Sequence, residues 1–258
     1  MITSTSNPRI KQIRALNGRP KERRDAGLFV IEGVRLCEEA LAAGFLPEIV
    51  LHVEELDPRA SALLDAFKAK GVDSEVVTDD VMGAASDTQT PQGILAVLPL
   101  RALPRPKQLD FVLVADQVRD PGNLGTLLRS AAAAGVQAVW LHPGTADAYS
   151  PKVVRSAMGA HFRLSIEMLG YEDIRRSCTM QGLRLLLAAV GQGDAYDAAD
   201  LRGPLALVVG SEAEGPGAGL TAAADGFVHI PMPGGFESLN AAVAGSILMF
   251  EVVRQRRV

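Results

Sequence analysis

The sequence predicts an α/β protein, with a mostly parallel sheet in its C-terminal part and a smaller α/β domain ahead of it. Three observations lead there. Strand-like and helix-like segments alternate along nearly the whole chain, the pattern of strand–helix–strand units. The runs Phe111-Val-Leu-Val-Ala115 and Leu205-Ala-Leu-Val-Val209 are apolar without alternation, as expected of strands covered on both faces. Pro99-Leu-Arg-Ala-Leu-Pro-Arg-Pro-Lys107 carries three prolines, which remove backbone donors and favour extended chain. It reads as a boundary, giving a first domain over 1–100, a linker over 101–107 and a second domain over 108–258.

In the first domain, Leu28-Phe-Val-Ile31 is a short buried strand. Val34, Cys37, Ala40 and Leu41 then follow helical spacing, and Gly44 closes the helix. Ile49-Val-Leu51 is a second strand, and Leu63, Leu64 and Phe67 mark a helix closed by Gly71. Glu75-Val-Val77 and Gly93-Ile-Leu-Ala-Val-Leu98 are further strands. In the second domain, Phe111–Ala115 leads into a helix from near Asn123 to Ala134, followed by the strand Ala138-Val-Trp-Leu141. Helices near Lys152–Met158 and Tyr171–Gln181 come next, then strands at Leu183–Val190, Leu205–Val209 and Phe227–Ile230. A last helix runs from Ser238 to near Arg254.

Composition narrows the function classes. The 258 residues carry 26 Lys+Arg and 30 Asp+Glu, a net charge of −4, with 48% apolar residues. That excludes a disordered tail protein and a strongly basic nucleic-acid coat. Cys37 and Cys178 lie in no motif, which argues against a disulfide scaffold and a thiolate zinc site and fits a reducing cytoplasm. His52, His142, His161 and His229 are scattered, no pair has metal-ligand spacing, and no metal is expected. The segment Met1–Arg24 is polar and basic, unlike a signal peptide, and no apolar run reaches the roughly 18 residues of a membrane span.

Open parallel sheets bind ligands beyond the carboxyl ends of their strands. Three loops there are rich in glycine and polar residues: Asp116–Gly125, Gly210–Gly217 and Ile230–Asn240. Neither the dinucleotide fingerprint nor the P-loop pattern follows a strand, so nicotinamide and nucleoside-triphosphate readings lose their main support. Leu124, Leu127, Leu128 and Ala131 form a buried helical stripe with Arg129 beside it, where a plain surface arginine would also sit. Asn123 is a favoured N-cap type, Ser238 has the chemistry to cap the last helix with Asn240 in its first turn, and Glu212 fits a solvated turn.

Together these segments resemble the three motifs of the SpoU (TrmH-like) branch of the SPOUT RNA methyltransferases. Motif one, D-P-x-N-x-G-x-x-x-R, resembles Asp120-Pro-Gly-Asn123-Leu-Gly125-Thr-Leu-Leu-Arg129. Motif two, G-x-E-x-x-G, resembles Gly210-Ser-Glu212-Ala-Glu-Gly215, and motif three resembles Ile230-Pro-Met232 with Ser238-Leu-Asn240. Ser150–Ala160 is similar to a further family segment. Phe29-Val-Ile-Glu32-Gly33, Glu39-Ala-Leu41 with Gly44, and Thr90-Pro-Gln-Gly93 resemble the family's small substrate-binding domain. Each piece is weak alone; all of them, in order and at strand ends, are specific. Ala241-Ala242 stands where the family commonly has Val-Ser, and the motif-one helix ends in the alanine run Ala131–Ala134 without the aromatic often found there.

The resemblance implies an S-adenosylmethionine-dependent RNA 2′-O-ribose methyltransferase, a trefoil knot in the C-terminal sheet, and a homodimer. It assigns cofactor contacts to Gly210, Ile230 and Leu239, and active-site roles to Arg129, Asn123, Glu212, Ser238 and Asn240. A guanidinium stays charged, so Arg129 suits stabilising a developing alkoxide better than acting as a base. Positive charge concentrates in Arg9, Lys11, Arg14, Arg19, Lys21, Arg23 and Arg24, in Lys152 and Arg155, and in the C-terminal tail. As phosphate contacts the sequence selects Arg9, Lys11, Arg14, Arg23, Arg24, Lys152 and Arg155, against the bland reading of a solvated charge run. The expected substrate is ribosomal RNA, with transfer RNA the alternative, and the expected location is the cytoplasm. A non-catalytic RNA-binding protein on the same scaffold ranks below the enzyme, and a small-molecule enzyme on a generic α/β fold has only analogy behind it.

Overall fold

The computed structural model describes residues 1–211 and 215–257. Along the chain run α1 (Pro8–Gly18), α2 (Pro20–Ala26), β1 (Leu28–Glu32), α3 (Val34–Ala42), β2 (Ile49–His52), α4 (Pro58–Ala69), β3 (Ser74–Val76), α5 (Asp79–Ala85) and β4 (Ile94–Pro99). Then follow β5 (Phe111–Ala115), α6 (Pro121–Ala133), β6 (Ala138–Leu141), α7 (Pro151–Ala157), β7 (Ser165–Met168), α8 (Tyr171–Gln181), β8 (Arg184–Ala188), β9 (Asp194–Ala195), β10 (Leu205–Val209), α9 (Ala218–Thr221), β11 (Gly226–His229) and α10 (Ala241–Arg256). Two compact units result. The first is Met1–Arg101 with Asp147–Phe162, the second Ala102–Ala146 with Arg163–Val258.

In the first unit the strand order is β1-β4-β2-β3, with β4 antiparallel to both β1 and β2, and β2 parallel to β3. The basic N-terminus is not a loose arm. Pro8 occupies the first turn of α1, where its missing N–H costs nothing, and the Asn7 side chain accepts the Arg9 N–H at 2.9 Å. Ile10, Ile13 and Leu16, at helical spacing, are buried against Leu28, Val30, Leu51 and Val81. The segment 147–162 belongs to this unit, beyond the residues expected from the proline boundary, because its rings fill the unit's core. The Tyr149 ring meets Phe29 edge-on at 5.1 Å and Phe162 packs on Phe45 at 5.0 Å.

In the second unit seven strands run parallel in the order β7-β6-β5-β10-β8-β11-β9. Every residue of β5 and β10 is buried, as their unbroken apolar runs require. α6 and α10 pack against each other. Gly245 permits that approach, since a Cβ there would fall 2.5 Å from Leu127 Cδ2. The hydroxyls of Ser130 and Ser246 share a 2.7 Å hydrogen bond across the contact. The predicted stripe Leu124, Leu127, Leu128 and Ala131 is fully buried. No helix among the described residues is long and apolar enough to cross a membrane.

Candidate active site

Asp120 caps α6, its Oδ1 accepting the Asn123 N–H at 2.8 Å, and Pro121 follows it at the first helical position. Asn123 therefore is not the cap. Its side chain serves elsewhere: its Oδ1 accepts from Asn240 Nδ2 at 2.9 Å, across 117 residues of chain. Asn240, in turn, is not in the first turn of α10 but is its N-cap. Its Oδ1 accepts from Ala242 N at 2.9 Å and Val243 N at 3.2 Å. Ser238 lies exposed in the loop before the cap and does not cap the helix.

Motifs one and three meet at the edge of a cavity of about 470 Å³ beyond the carboxyl ends of β8, β10 and β11. Gly210, Ile230, Ser238 and Leu239 all line it, as do Ala241 and Leu248 of α10. Gly210 lies against the backbone of Gly215 and Pro216: a Cβ there would stand 2.3 Å from Gly215 C and Pro216 N. Gly215 N–H donates to Ser211 O at 3.0 Å. Among the described lining residues His229 is the only ionisable side chain. Apolar walls with backbone polar groups at their edges suit a flat, uncharged ring.

Sequence reasoning missed a residue that braces this loop. Asp116, at the end of β5, is fully buried. Its Oδ2 accepts the Gly217 N–H at 2.7 Å, and its Oδ1 accepts the Tyr171 O–H at 3.2 Å and lies 3.2 Å from His142 Nδ1. The His142 and Tyr171 rings stack at 3.7 Å. Partial burial raises the Tyr171 phenol above its ordinary value, so it stays an O–H donor. The available signal was an acid directly after a fully apolar strand, since a buried carboxylate must find donors.

Arg129 is exposed on α6, outside the cavity lining, with no hydrogen bond or ion pair among the described residues. Glu212 lies outside the described residues. Of the expected phosphate contacts, Lys11, Arg14 and Arg24 are exposed and without acid partners among the described residues, and Lys152 is exposed. Arg9 pairs with Glu75 at 2.8 Å and Arg155 with Asp87 at 2.9 Å. Arg23 departs from the expectation. It is 3% exposed, and its guanidinium donates to Asp147, Leu16 O and Asn17 O, so it ties the two segments of the first unit together instead of facing solvent. Burial pushes the Cys37 and Cys178 thiols up to about 12, which leaves both inert. No group of acids, histidines and cysteines among the described residues has the arrangement of a metal site.

Comparison with known proteins agrees with this geometry. Residues 110–250 match the model of the SpoU rRNA methylase family, and residues 7–96 match an MRM3-like substrate-binding domain. A Bacillus subtilis 23S rRNA (guanosine(2553)-2′-O)-methyltransferase, RlmP, is 35% identical over 97% of this chain and 98% of its own. Human mitochondrial rRNA methyltransferase 3 is 31% identical over 91% of this chain and 69% of its own. The crystal structure of the SpoU methyltransferase AviRb from Streptomyces viridochromogenes, in complex with AdoMet, superposes with a TM-score of 0.87 at 29% identity, over 97% of this chain and 98% of that one. With residues of two motifs lining the strand-end cavity and the family model spanning more than half its length, the chain belongs to the SpoU rRNA methylase family.

Proposed function

We propose that the protein transfers a methyl group from S-adenosylmethionine to a ribose 2′-hydroxyl of ribosomal RNA. One observation carries the reading. Asn240 sits between Leu239 and Ala241, which line the cavity, and holds Asn123 of motif one. The residues fit the cofactor: Gly210, Ile230 and Leu239 line the cavity, and Ile230 and Leu239 offer apolar walls for an adenine. When bound, S-adenosylmethionine supplies a methyl group already activated by its sulfonium.

The protein's task is then the weak nucleophile. Asn123 and Asn240, fixed by their mutual bond, offer amide groups to orient the ribose, and Ser238 adds a hydroxyl at the cavity wall. Arg129, a permanent cation on the exposed face of α6, stabilises the oxygen as the methyl leaves the sulfonium for it and its proton passes to solvent water. Residues 1–100 supply RNA contacts through Lys11, Arg14 and Arg24, exposed on α1 and α2. We further infer a homodimer through α10. Val243 and Phe250 stand exposed seven residues apart on this helix, forming an apolar stripe that a second copy would cover. The trefoil threading and the cytoplasmic location remain part of this reading; the placement of β10 between β5 and β8 is compatible with the former.

The test is incubation with labelled S-adenosylmethionine and separate pools of unmodified 23S ribosomal RNA and transfer RNA. Alkali-resistant label in the ribosomal RNA is expected, and Arg129→Ala should lower the rate about 100-fold or more while cofactor binding persists. Label confined to transfer RNA would replace the substrate. Cofactor binding without transfer to either pool would favour a non-catalytic RNA-binding protein.

A further inference from the structure

We propose that Arg119 is a further RNA-phosphate contact beside the target ribose, and that Gln117 is the positioning residue that aims it. The inference rests on the RNA-directed function above. Arg119 immediately precedes Asp120, the cap of α6, whose carboxylate accepts the Asn123 N–H. It is exposed, yet not loose: its guanidinium donates to Gln117 Oε1 at 2.9 Å. Gln117 Nε2 donates to Tyr171 Oη at 3.3 Å, and that hydroxyl donates to the buried Asp116. Between them the Val118 side chain is buried, and its carbonyl accepts the Ala146 N–H at 2.9 Å. The segment is pinned from both sides.

Two features single this arrangement out. Gln117 has a φ of 54°, a left-handed conformation that L residues rarely adopt and that persists only where surroundings impose it. The strained backbone puts the amide of Gln117 where it spans Tyr171 and Arg119. The partner of Arg119 is a side-chain amide, where Arg184 of the same unit donates to the Asp200 carbonyl and several others take acids. Arg105, Arg176, Arg202 and Arg254 each pair with a carboxylate. Arg119 is held by a neutral acceptor, which fixes its direction without cancelling its charge. An oriented guanidinium four residues before Asn123, with no acid partner among the described residues, is what a phosphodiester oxygen beside a bound ribose would meet.

The experiment measures methylation of a 23S ribosomal RNA transcript between about 50 and 200 mM salt. It compares the full-length wild type with Arg119→Ala, Arg119→Lys and Gln117→Gly. Arg119→Ala should raise the RNA KM about five- to tenfold at low salt and make the salt dependence shallower by about 0.7–0.9 in log–log slope. Arg119→Lys should keep the slope but recover only part of the KM, because lysine cannot share the fork geometry with Gln117. Gln117→Gly removes the amide and relieves the backbone. It should raise the RNA KM while melting no lower than wild type, which a merely structural role cannot produce. Cofactor Kd by calorimetry should be unchanged throughout. An unaltered KM and slope in Arg119→Ala overturns the assignment of Arg119. A weakened cofactor Kd in Arg119→Ala shows that the residue acts through the cofactor loop, and overturns it as well. A Gln117→Gly protein with wild-type KM removes Gln117 from its positioning role. Wild type that leaves the transcript unmethylated defeats the functional reading itself, and this inference with it.

Discussion

Among the described residues Asn240 does two jobs, and a pair of substitutions separates them. Its Oδ1 caps α10 through Ala242 N and Val243 N, and its Nδ2 donates to Asn123 at 2.9 Å. Asn240→Ala loses both. The cap contributes about 1 kcal/mol. The Asn240–Asn123 bond, at a solvent-accessible site, contributes about 0.5 kcal/mol, the low end of the usual range. The sum of about 1.5 kcal/mol should lower the melting temperature by roughly 3–6 °C. Asn240→Ser keeps a hydroxyl of nearly equal capping quality, but one too short to reach Asn123. It should melt within about 2 °C of wild type. If the bond holds Asn123 against the substrate, Asn240→Ser should still cost about ten- to a hundredfold in kcat/KM, as misplacement of a positioning group does. The assays are calorimetric melting and methyl transfer to 23S ribosomal RNA on the same preparations. Wild-type activity in Asn240→Ser would reduce Asn240 to a helix cap and refute the joined-motif reading. Melting of the serine variant as low as the alanine variant would refute the division of energies.

Three further predictions concern the two units. His161 is buried, its Nε2 donating to Ala148 O at 2.6 Å, and desolvation holds its imidazolium down to about 4. Between its unfolded value near 6.5 and about 4 the unfolded chain binds the extra proton. Stability is therefore full above that window and falls by up to about 3 kcal/mol as pH drops through it. Urea titrations across this range should show the loss, and His161→Gln should flatten it; an unchanged profile in the variant would contradict the assignment. Gly210→Ala places a methyl 2.3 Å from the Gly215 backbone, so calorimetry should find cofactor affinity down at least about tenfold in a folded protein. Arg23→Ala leaves Asp147, a quarter exposed, without its partner and should cost about 2–4 kcal/mol in denaturant melts, with no change in the salt slope of RNA binding.

Burial on both faces writes itself into a strand as an unbroken apolar run, so β5, β6 and β10 were legible from sequence. So was the buried stripe of α6, whose four apolar positions left Arg129 outside. β7 was not, because it is a four-residue edge strand with partly exposed side chains and little apolar signal. The N-terminal helices escaped for a different reason. Charge dominates the composition there, and Ile10, Ile13 and Leu16 carry the helical period almost alone. At the site, residue types were readable but partners were not. Asn123 and Asn240 are both plausible caps by type; that Asp120 caps α6, and that the two asparagines join, depends on α6 and α10 packing through Gly245. Arg23 shows the same limit in reverse: an arginine in a basic run, turned inward because Asp147 reaches it.

The negative total charge and an RNA substrate are reconciled by where the charges lie. Many acids are engaged by arginines already, as in Glu75 with Arg9, Glu38 with Arg59, Asp87 with Arg155 and Glu251 with Arg254. Such pairs remove charge of both signs from the exterior field. Lys11, Arg14, Arg24, Arg119 and Arg129 are among the exposed cations that have no acid partner among the described residues. What a polyanion meets is the local charge, not the sum, because screening confines each charge to about 8–10 Å at ordinary salt. Binding through exposed cations grows with the number of phosphates they meet and falls steeply with salt.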